Sequence, residues 1–361
     1  MHRVRAPCVG VRARVRSAIG DERAERTRGE RIRRALSLPS AREPRYPRAM
    51  DPCIVAGSAH RTLGEAVARS LGVAPLVCTL ERFPDGELHV ELREPVARRD
   101  VVIVQSAVNP VGESVLEVLM IADAARRLGA SGVTAVLPYV GYARADRRTR
   151  EGQPLAGRVV AGLFDRSLVD RVIAIDLHSS AVAGFFPVPV DHLDALPVLA
   201  DALERVMPEN AVIVAPDVGA SKRAEALAAR WKLPTAVVHK KRVSGSAVVA
   251  HAVTGDVQGR APVIVDDMIV TGSTLVAAMN ALRDHGALEG PVIAATHALC
   301  PGEAIAKLAS IGTRVLVVTD TLPSPGATPF PLAIASVAPR LGDAIGRLAR
   351  GDALADLLVT I

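Results

Sequence analysis

Two stretches of this chain repeat one another, and that repeat restricts the fold more than any other feature. VVIVQSAVNPVGESVLEVLMIADAARRLGASGVTAVLPY runs from Val101 to Tyr139, and PVIVDDMIVTGSTLVAAMNALRDHGALEGPVIAATHAL runs from Pro262 to Leu299. Each reads as an apolar strand, a polar loop with glycine, a long amphipathic helix and a second apolar strand. Each helical pattern stops at a glycine, Gly129 or Gly286, the usual residue after a last helical turn. Self-similarity at a fixed offset signals a duplicated unit. A helix joining two strands of one sheet makes those strands parallel. The predicted fold is therefore α/β, with two similar domains in tandem, each a mainly parallel sheet flanked by helices.

A length of 361 residues suits two ordinary domains. Pro39, Pro44 and Pro47 mark a boundary before Met50, after which Ile54 to Gly57 starts a strand pattern. The expected organisation is an Arg-rich, disordered extension over 1–49, domains over 50–195 and 196–345, and a tail over 346–361. The extension holds 14 Arg against 5 acidic residues, whereas the remainder holds 30 basic and 33 acidic residues. The overall charge of +6 therefore comes from the extension. It gives no reason to expect nucleic-acid binding by the body of the chain. The extension lacks the apolar core of a secretory signal, and Asp21, Glu22, Glu25 and Glu30 speak against a transit peptide.

Charge, Gly or Pro interrupts every apolar run well short of the roughly 20 residues a membrane span needs. Cys8, Cys53, Cys78 and Cys300 are scattered, with no CxxC spacing. That excludes a usual structural zinc site and fits free thiols in the cytoplasm.

The sharpest motif is VIVDDMIVTGSTL, Val263 to Leu275. A strand ends in Asp266 and Asp267, and Thr271, Gly272, Ser273 and Thr274 then lead into a helix. Small residues let a ligand approach the backbone, and free N–H groups at a helix start favour phosphate. Paired carboxylates repel phosphate but accept hydrogen bonds from vicinal hydroxyls. Together they predict a sugar phosphate; the plainer alternative is a capped helix after a buried strand. The first copy has Gln105 and Ser106 where the acids stand, so it reads as a half that lost this site. Ligands of open parallel sheets bind at the carboxyl ends of strands. No Gly-Lys dipeptide and no GxGxxG occurs, so neither a Walker A loop nor a dinucleotide fingerprint is present.

The Val263–Leu275 motif resembles the phosphoribosyl diphosphate-binding motif of the phosphoribosyltransferase fold. Further segments, in order along the chain, make the resemblance specific to the ribose-phosphate diphosphokinases. RFPDGELHVEL (Arg82–Leu92) is similar to that family's adenine-binding hairpin, which implies ATP contacts for Phe83, Asp85, Gly86 and Glu87. In the family this hairpin reaches into a neighbouring subunit's site, so a homo-oligomer, a hexamer by resemblance, is implied. PYVGYARADRR (Pro138–Arg148) implies ATP contacts for Arg144, Ala145 and Asp146, with Arg147 and Arg148 adding forked donors for a triphosphate. DLHSSAVAGFFPVPVDHL (Asp176–Leu193) implies a metal role for His178, and APDVGASKRAEALA (Ala215–Ala228) one for Asp217. In the latter segment Lys222 and Arg223 are expected to face phosphate.

VVHKKRVSG (Val237–Gly245) is similar to the family's catalytic loop, which implies that Lys240 and Arg242 are catalytic. Asp266, Asp267, Val270, Thr271, Gly272, Ser273 and Thr274 would hold ribose 5-phosphate. The resemblance implies Mg²⁺ as cofactor, ATP and ribose 5-phosphate as partners, and neither nucleic acid nor membrane. The implied reaction moves the β,γ-diphosphoryl group of MgATP to the anomeric hydroxyl.

The chain departs from the family's pattern in places. Val270 stands where many members have Asp, Ala181-Val182-Ala183 replaces commonly polar positions, and the catalytic loop continues as VSGSAVV. Two other readings follow. A salvage phosphoribosyltransferase would share the sugar-phosphate loop but needs no adenine hairpin. A non-catalytic, synthetase-like regulatory subunit would fit Val270 but not the retention of Lys240, Arg242, His178 and Asp217.

Overall fold

The computed structural model describes residues 52–244 and 247–359, with the side chains of 240–251 outside the described set. The expected disorder of residues 1–49 falls outside the described residues.

The first half begins with β1 (Cys53–Ala56) and α1 (Arg61–Ser70), followed by the hairpin β2 (Cys78–Arg82) and β3 (Leu88–Leu92). It continues through β4 (Asp100–Val104), α2 (Val111–Arg127), β5 (Gly132–Leu137), α3 (Ala156–Ala161), β6 (Arg171–Ile175) and β7 (Val190–Leu193). Strands β1-β4-β5-β6-β7 form one sheet in that order, every pair parallel. Both faces are covered, so β4 continues after Asp100 as an apolar run, VVIV, as fully buried parallel strands do. Ile103 and Val118 belong to one face's core; Ile54, Val102 and Leu63 belong to the other.

The second half runs α4 (Leu196–Glu204), β8 (Ala211–Ala215), α5 (Ser221–Trp231), β9 (Thr235–Ser244), β10 (Ala247–Thr254) and β11 (Ala261–Ile269). Then come α6 (Ser273–Asp284), β12 (Val292–Ala298), α7 (Gly302–Ser310), β13 (Val315–Thr319), β14 (Leu332–Ala335) and α8 (Ala338–Arg350). Its sheet has the order β10-β9-β8-β11-β12-β13-β14, parallel except for the β9–β10 pair.

The predicted repeat is present as β4–α2–β5 and β11–α6–β12. Gly129 (φ 82°) and Gly286 (φ 79°) both occupy the left-handed region just past their helices, where a side chain would be strained. Strand β11 has nine residues against five in β4. The extra length carries the acid pair out to the strand's carboxyl end.

Helix α8 returns to the first sheet. Its apolar positions Ala338, Leu341, Ala344 and Ile345 recur at helical spacing and pack with Leu63 and Val67 of α1. Leu357 and Val359 continue from it along β7: Asp194 N–H donates to Leu357 O and Val359 N–H to His192 O. Cys53, Cys78 and Cys300 are free thiols, as expected. No helix among the described residues is long and apolar enough to cross a membrane.

Candidate active site

A cavity of about 880 Å³ opens at the carboxyl ends of β8 and β11. The second half supplies Asp217, Lys222, Asp266, Asp267, Val270, Thr271, Gly272 and Thr274 to its wall; the first half supplies Arg144, Asp146, Arg147 and His178. Residues far apart in sequence thus meet in one polar space.

The acid pair is asymmetric. Burial, reinforced by the neighbouring Asp267 charge, pushes the Asp266 carboxyl up to about 8. Asp267 is also buried, which would raise it, but the hydrogen bond and charge of His178 hold it below the usual carboxylate range. His178 Nδ1 lies 2.6 Å from Asp267 Oδ2, and that hydrogen bond raises the imidazole against the opposing effect of its burial. The two neighbouring carboxyls are therefore shifted in opposite directions, and the second is paired to a histidine from the other half.

The loop after β11 turns at Gly272, whose φ is 72°. A Cβ there would lie 3.3 Å from Ala304 O and 3.5 Å from Lys307 Cβ. The Thr271 hydroxyl donates to Ser273 Oγ at 3.3 Å, and Lys307 Nζ reaches the same oxygen at 3.2 Å while bound to Glu303 at 2.6 Å. Val270 packs against an apolar cluster that includes Tyr139, Met268 and Leu322. That packing accounts for an apolar residue at a loop position that also borders the cavity.

Other expected residues are placed less directly. Ala145 is tied into a turn, its N–H donating to Tyr142 O and its carbonyl accepting from Gly157 N–H. Arg144 and Asp146 flank it at the cavity wall. Lys222 borders the cavity as expected. Arg223 borders it as well, with its guanidinium Nη1 bound to Asp176 at 2.8 Å and Thr296 at 3.2 Å. Lys240 and Arg242 lie on β9, their side chains outside the described set.

Phe83, Asp85, Gly86 and Glu87 sit at the tip of the β2–β3 hairpin and do not border the cavity of their own chain. The turn is well formed. Phe83 N–H donates to Glu87 O at 2.8 Å, Glu87 N–H donates to Asp85 Oδ1 at 3.1 Å, and Gly86 has φ 95°. Phe83 is 48% exposed and its ring centroid lies 5.2 Å from that of His89.

The first half has no comparable phosphate loop. At the end of β4, Gln105 Nε2 donates to Glu117 at 2.8 Å, and Ser58 N–H donates to the same carboxylate at 2.7 Å. Glu117 is 4% exposed, so a buried carboxylate takes up the donors there. Sequence reasoning missed Asp176, Thr296, His192 and Val359. The one available signal was Asp176 itself, a charge closing the apolar strand pattern RVIAI.

Two α/β halves around a cavity with an acid pair and a small-residue loop define a tandem phosphoribosyltransferase-type protein. Residues 52–167 match the family model described as the N-terminal domain of ribose phosphate pyrophosphokinase, and residues 199–317 match the phosphoribosyl transferase domain. The chain is 41% identical over 297 residues to the ribose-phosphate pyrophosphokinase of Gloeobacter violaceus, covering 82% of this chain and 89% of that one. It is 36% identical over 305 residues to that of Aquifex aeolicus, covering 84% and 98%. The crystal structure of phosphoribosylpyrophosphate synthetase from Mycobacterium smegmatis superposes with a TM-score of 0.77 at 36% identity, covering 84% of this chain and all of that one. The chain belongs to the ribose-phosphate pyrophosphokinase family.

Proposed function

We propose that this protein transfers the β,γ-diphosphoryl group of MgATP to the anomeric hydroxyl of ribose 5-phosphate, giving phosphoribosyl diphosphate and AMP. The observation that carries this reading is the meeting, in one cavity, of an acid pair, a phosphate-type loop and cations from both halves. The 5-phosphate takes the Thr271–Thr274 loop and the ribose hydroxyls take Asp266 and Asp267. Arg144, Lys222, Lys240 and Arg242 meet the triphosphate, with Asp146 beside them. The anomeric oxygen bonds to the β-phosphorus as the bond to the α-phosphate oxygen breaks. AMP leaves with that electron pair and the hydroxyl proton passes to solvent. Alignment and charge neutralisation do the work, and no protein nucleophile is required.

The donor set fits Mg²⁺. His178 and Asp217 both border the cavity and would hold the ion, Asp217 supplying an oxygen ligand. Mg²⁺ commonly keeps several waters and substrate phosphates as ligands, so few protein ligands are needed. When bound, Mg²⁺ would offset phosphate charge at the transferred group.

The exposed hairpin tip supports an adenine site completed by a second copy of the chain, in a homo-oligomer for which the hexamer is the family precedent. We take 50–195 and 196–345 as the two domains, with α8 spanning the second boundary and packed on the first sheet, and the cytoplasm as the compartment where substrates and free thiols coincide.

The test is AMP formation from ATP. It should require ribose 5-phosphate and divalent cation, and ATP turnover independent of ribose 5-phosphate would overturn the reading. Incubation with phosphoribosyl diphosphate and nucleobases should give no nucleotide, whereas a salvage transferase would form one. Gly272→Ala should raise KM for ribose 5-phosphate about tenfold. An L-residue in the left-handed region costs roughly 1–2 kcal/mol, and about 1.4 kcal/mol is a factor of ten in binding. Steady-state kinetics with ribose 5-phosphate as the varied substrate checks this.

A further inference from the structure

Asp176 closes β6 of the first sheet with its side chain only 1% exposed. An ionised carboxylate so placed is costly unless it is paired and hydrogen-bonded. Its partners come largely from the second half. Arg223 of α5 donates to Oδ2 at 2.8 Å, and the Thr296 hydroxyl of β12 donates to the same oxygen. Oδ1 accepts from Ala195 N–H at 3.1 Å. The carboxylate is thus hydrogen-bonded on both oxygens at the border of the cavity.

The Asp176 backbone is held just as closely. Its φ is 40°, in the left-handed region. Its carbonyl lies 3.1 Å from His297 Nε2 of β12, and its N–H donates to Leu193 O. Leu177 N–H then donates to His192 Nε2 at 2.7 Å. One residue further on, His178 meets Asp267 at 2.6 Å. Strands β11 and β12 are adjacent, with Asp266 opposite Ala295 and Met268 opposite His297. The turn from β6 is therefore tied to the second sheet at neighbouring points: Asp176 to Thr296 and His297, His178 to Asp267.

We propose that Asp176, Arg223 and Thr296 form a cross-sheet clamp that positions the Leu177–His178 turn over Asp267, which makes them positioning residues for diphosphoryl transfer. This rests on the proposed reading of the cavity. A buried ion pair is weak as a source of stability, because apolar packing of equal volume does as well or better. It is better suited to fixing one segment against another. The clamp settles where His178 sits before any ligand arrives.

Three variants of the full chain test this. Asp176→Asn keeps the size and tolerates the left-handed backbone. It should lower kcat about 10²-fold, the scale of a misplacement of roughly 1 Å, with both KM values within about threefold. In a His178→Gln background the same substitution should add little, because its effect acts through His178. A general structural defect would add in full. Asp176→Asn leaves Arg223 unpaired and could prevent folding, so Thr296→Val, which leaves no charge unpaired, is the second arm. Its kcat should fall about 10-fold or more, and its crystal structure should show His178 displaced from Asp267 by about 1 Å. Folded variants with wild-type kcat, or a Thr296→Val structure with the His178–Asp267 contact unchanged, overturn the clamp. A wild-type chain that forms no AMP overturns the functional reading instead, and the crystal structure still decides the clamp.

Discussion

Replacing Lys240 by alanine is expected to lower kcat for AMP formation about 10²–10³-fold, the loss typical of removing one preorganised charge from a reaction centre. KM for ribose 5-phosphate should stay within about threefold. Thr235–Val237 of β9 pair in parallel with Ile213–Ala215 of β8. There β8 ends and the chain turns through Asp217, but β9 continues to Ser244, pairing with β10. At about 3.3 Å per residue, Lys240 lies roughly 10 Å beyond the carboxyl edge of β8. That edge is the one on which the cavity opens, and the backbone of β9 leaves it on the side of β8 away from β11 and its sugar-phosphate loop. Lys240→Arg should retain part of the activity, because charge matters more here than shape. The measurement is kcat with both substrates saturating, alongside ATP affinity by calorimetry. Undiminished turnover in Lys240→Ala would remove the lysine from the mechanism and shift the charge to Arg242 and Arg144.

Much of this site was legible because its chemistry is concentrated in short segments. Val263 to Thr274 changes from apolar to acidic to small and hydroxylic within one strand–loop–helix unit, and the structure keeps these residues together. Gly129 and Gly286 marked helix ends because few other residues accept that backbone. What remained hidden depends on distance in three dimensions. The hairpin at Phe83 was legible as a hairpin, but nothing local says that its tip stands away from its own chain's cavity. Lys222 and Arg223 read as a pair of phosphate-facing cations. On a helix, neighbours point about 100° apart, and only Arg223 turns to the buried Asp176. The partners of Asp176 lie 47 and 120 residues away, so its burial leaves no local trace. Val359 is likewise an ordinary apolar residue in sequence, and it borders the cavity only because α8 carries the chain back to β7.

The raised value of the Asp266 carboxyl should make stability fall as pH rises, the reverse of the usual carboxylate. Burial, with the Asp267 charge second, pushes this group up to about 8 in the folded chain, against about 3.9 in an unfolded one. Between those values the folded state holds a proton that the unfolded state has released. Stability from this group is therefore fully present below about pH 4 and is lost as pH rises toward about 8, at up to about 1.4 kcal/mol per pH unit. Above that, both states are ionised and the slope disappears. Asp267 acts oppositely and in a separate window. Its depressed value contributes stability above the unfolded carboxylate range, lost as pH falls through its lower folded value. Asp266→Asn removes the first effect and leaves the second, so its denaturation midpoint should gain on the wild type as pH is raised from 5 to 8. Parallel pH profiles for the two proteins would mean that Asp266 is ionised in the free fold. The same proton has a consequence for ligand binding. A protonated Asp266 can donate to one sugar hydroxyl and accept from another, whereas binding that requires the ionised form must release a proton. Calorimetric titration with ribose 5-phosphate in buffers of different ionisation enthalpy distinguishes these, and the bifunctional role for Asp266 calls for no net proton release near pH 7.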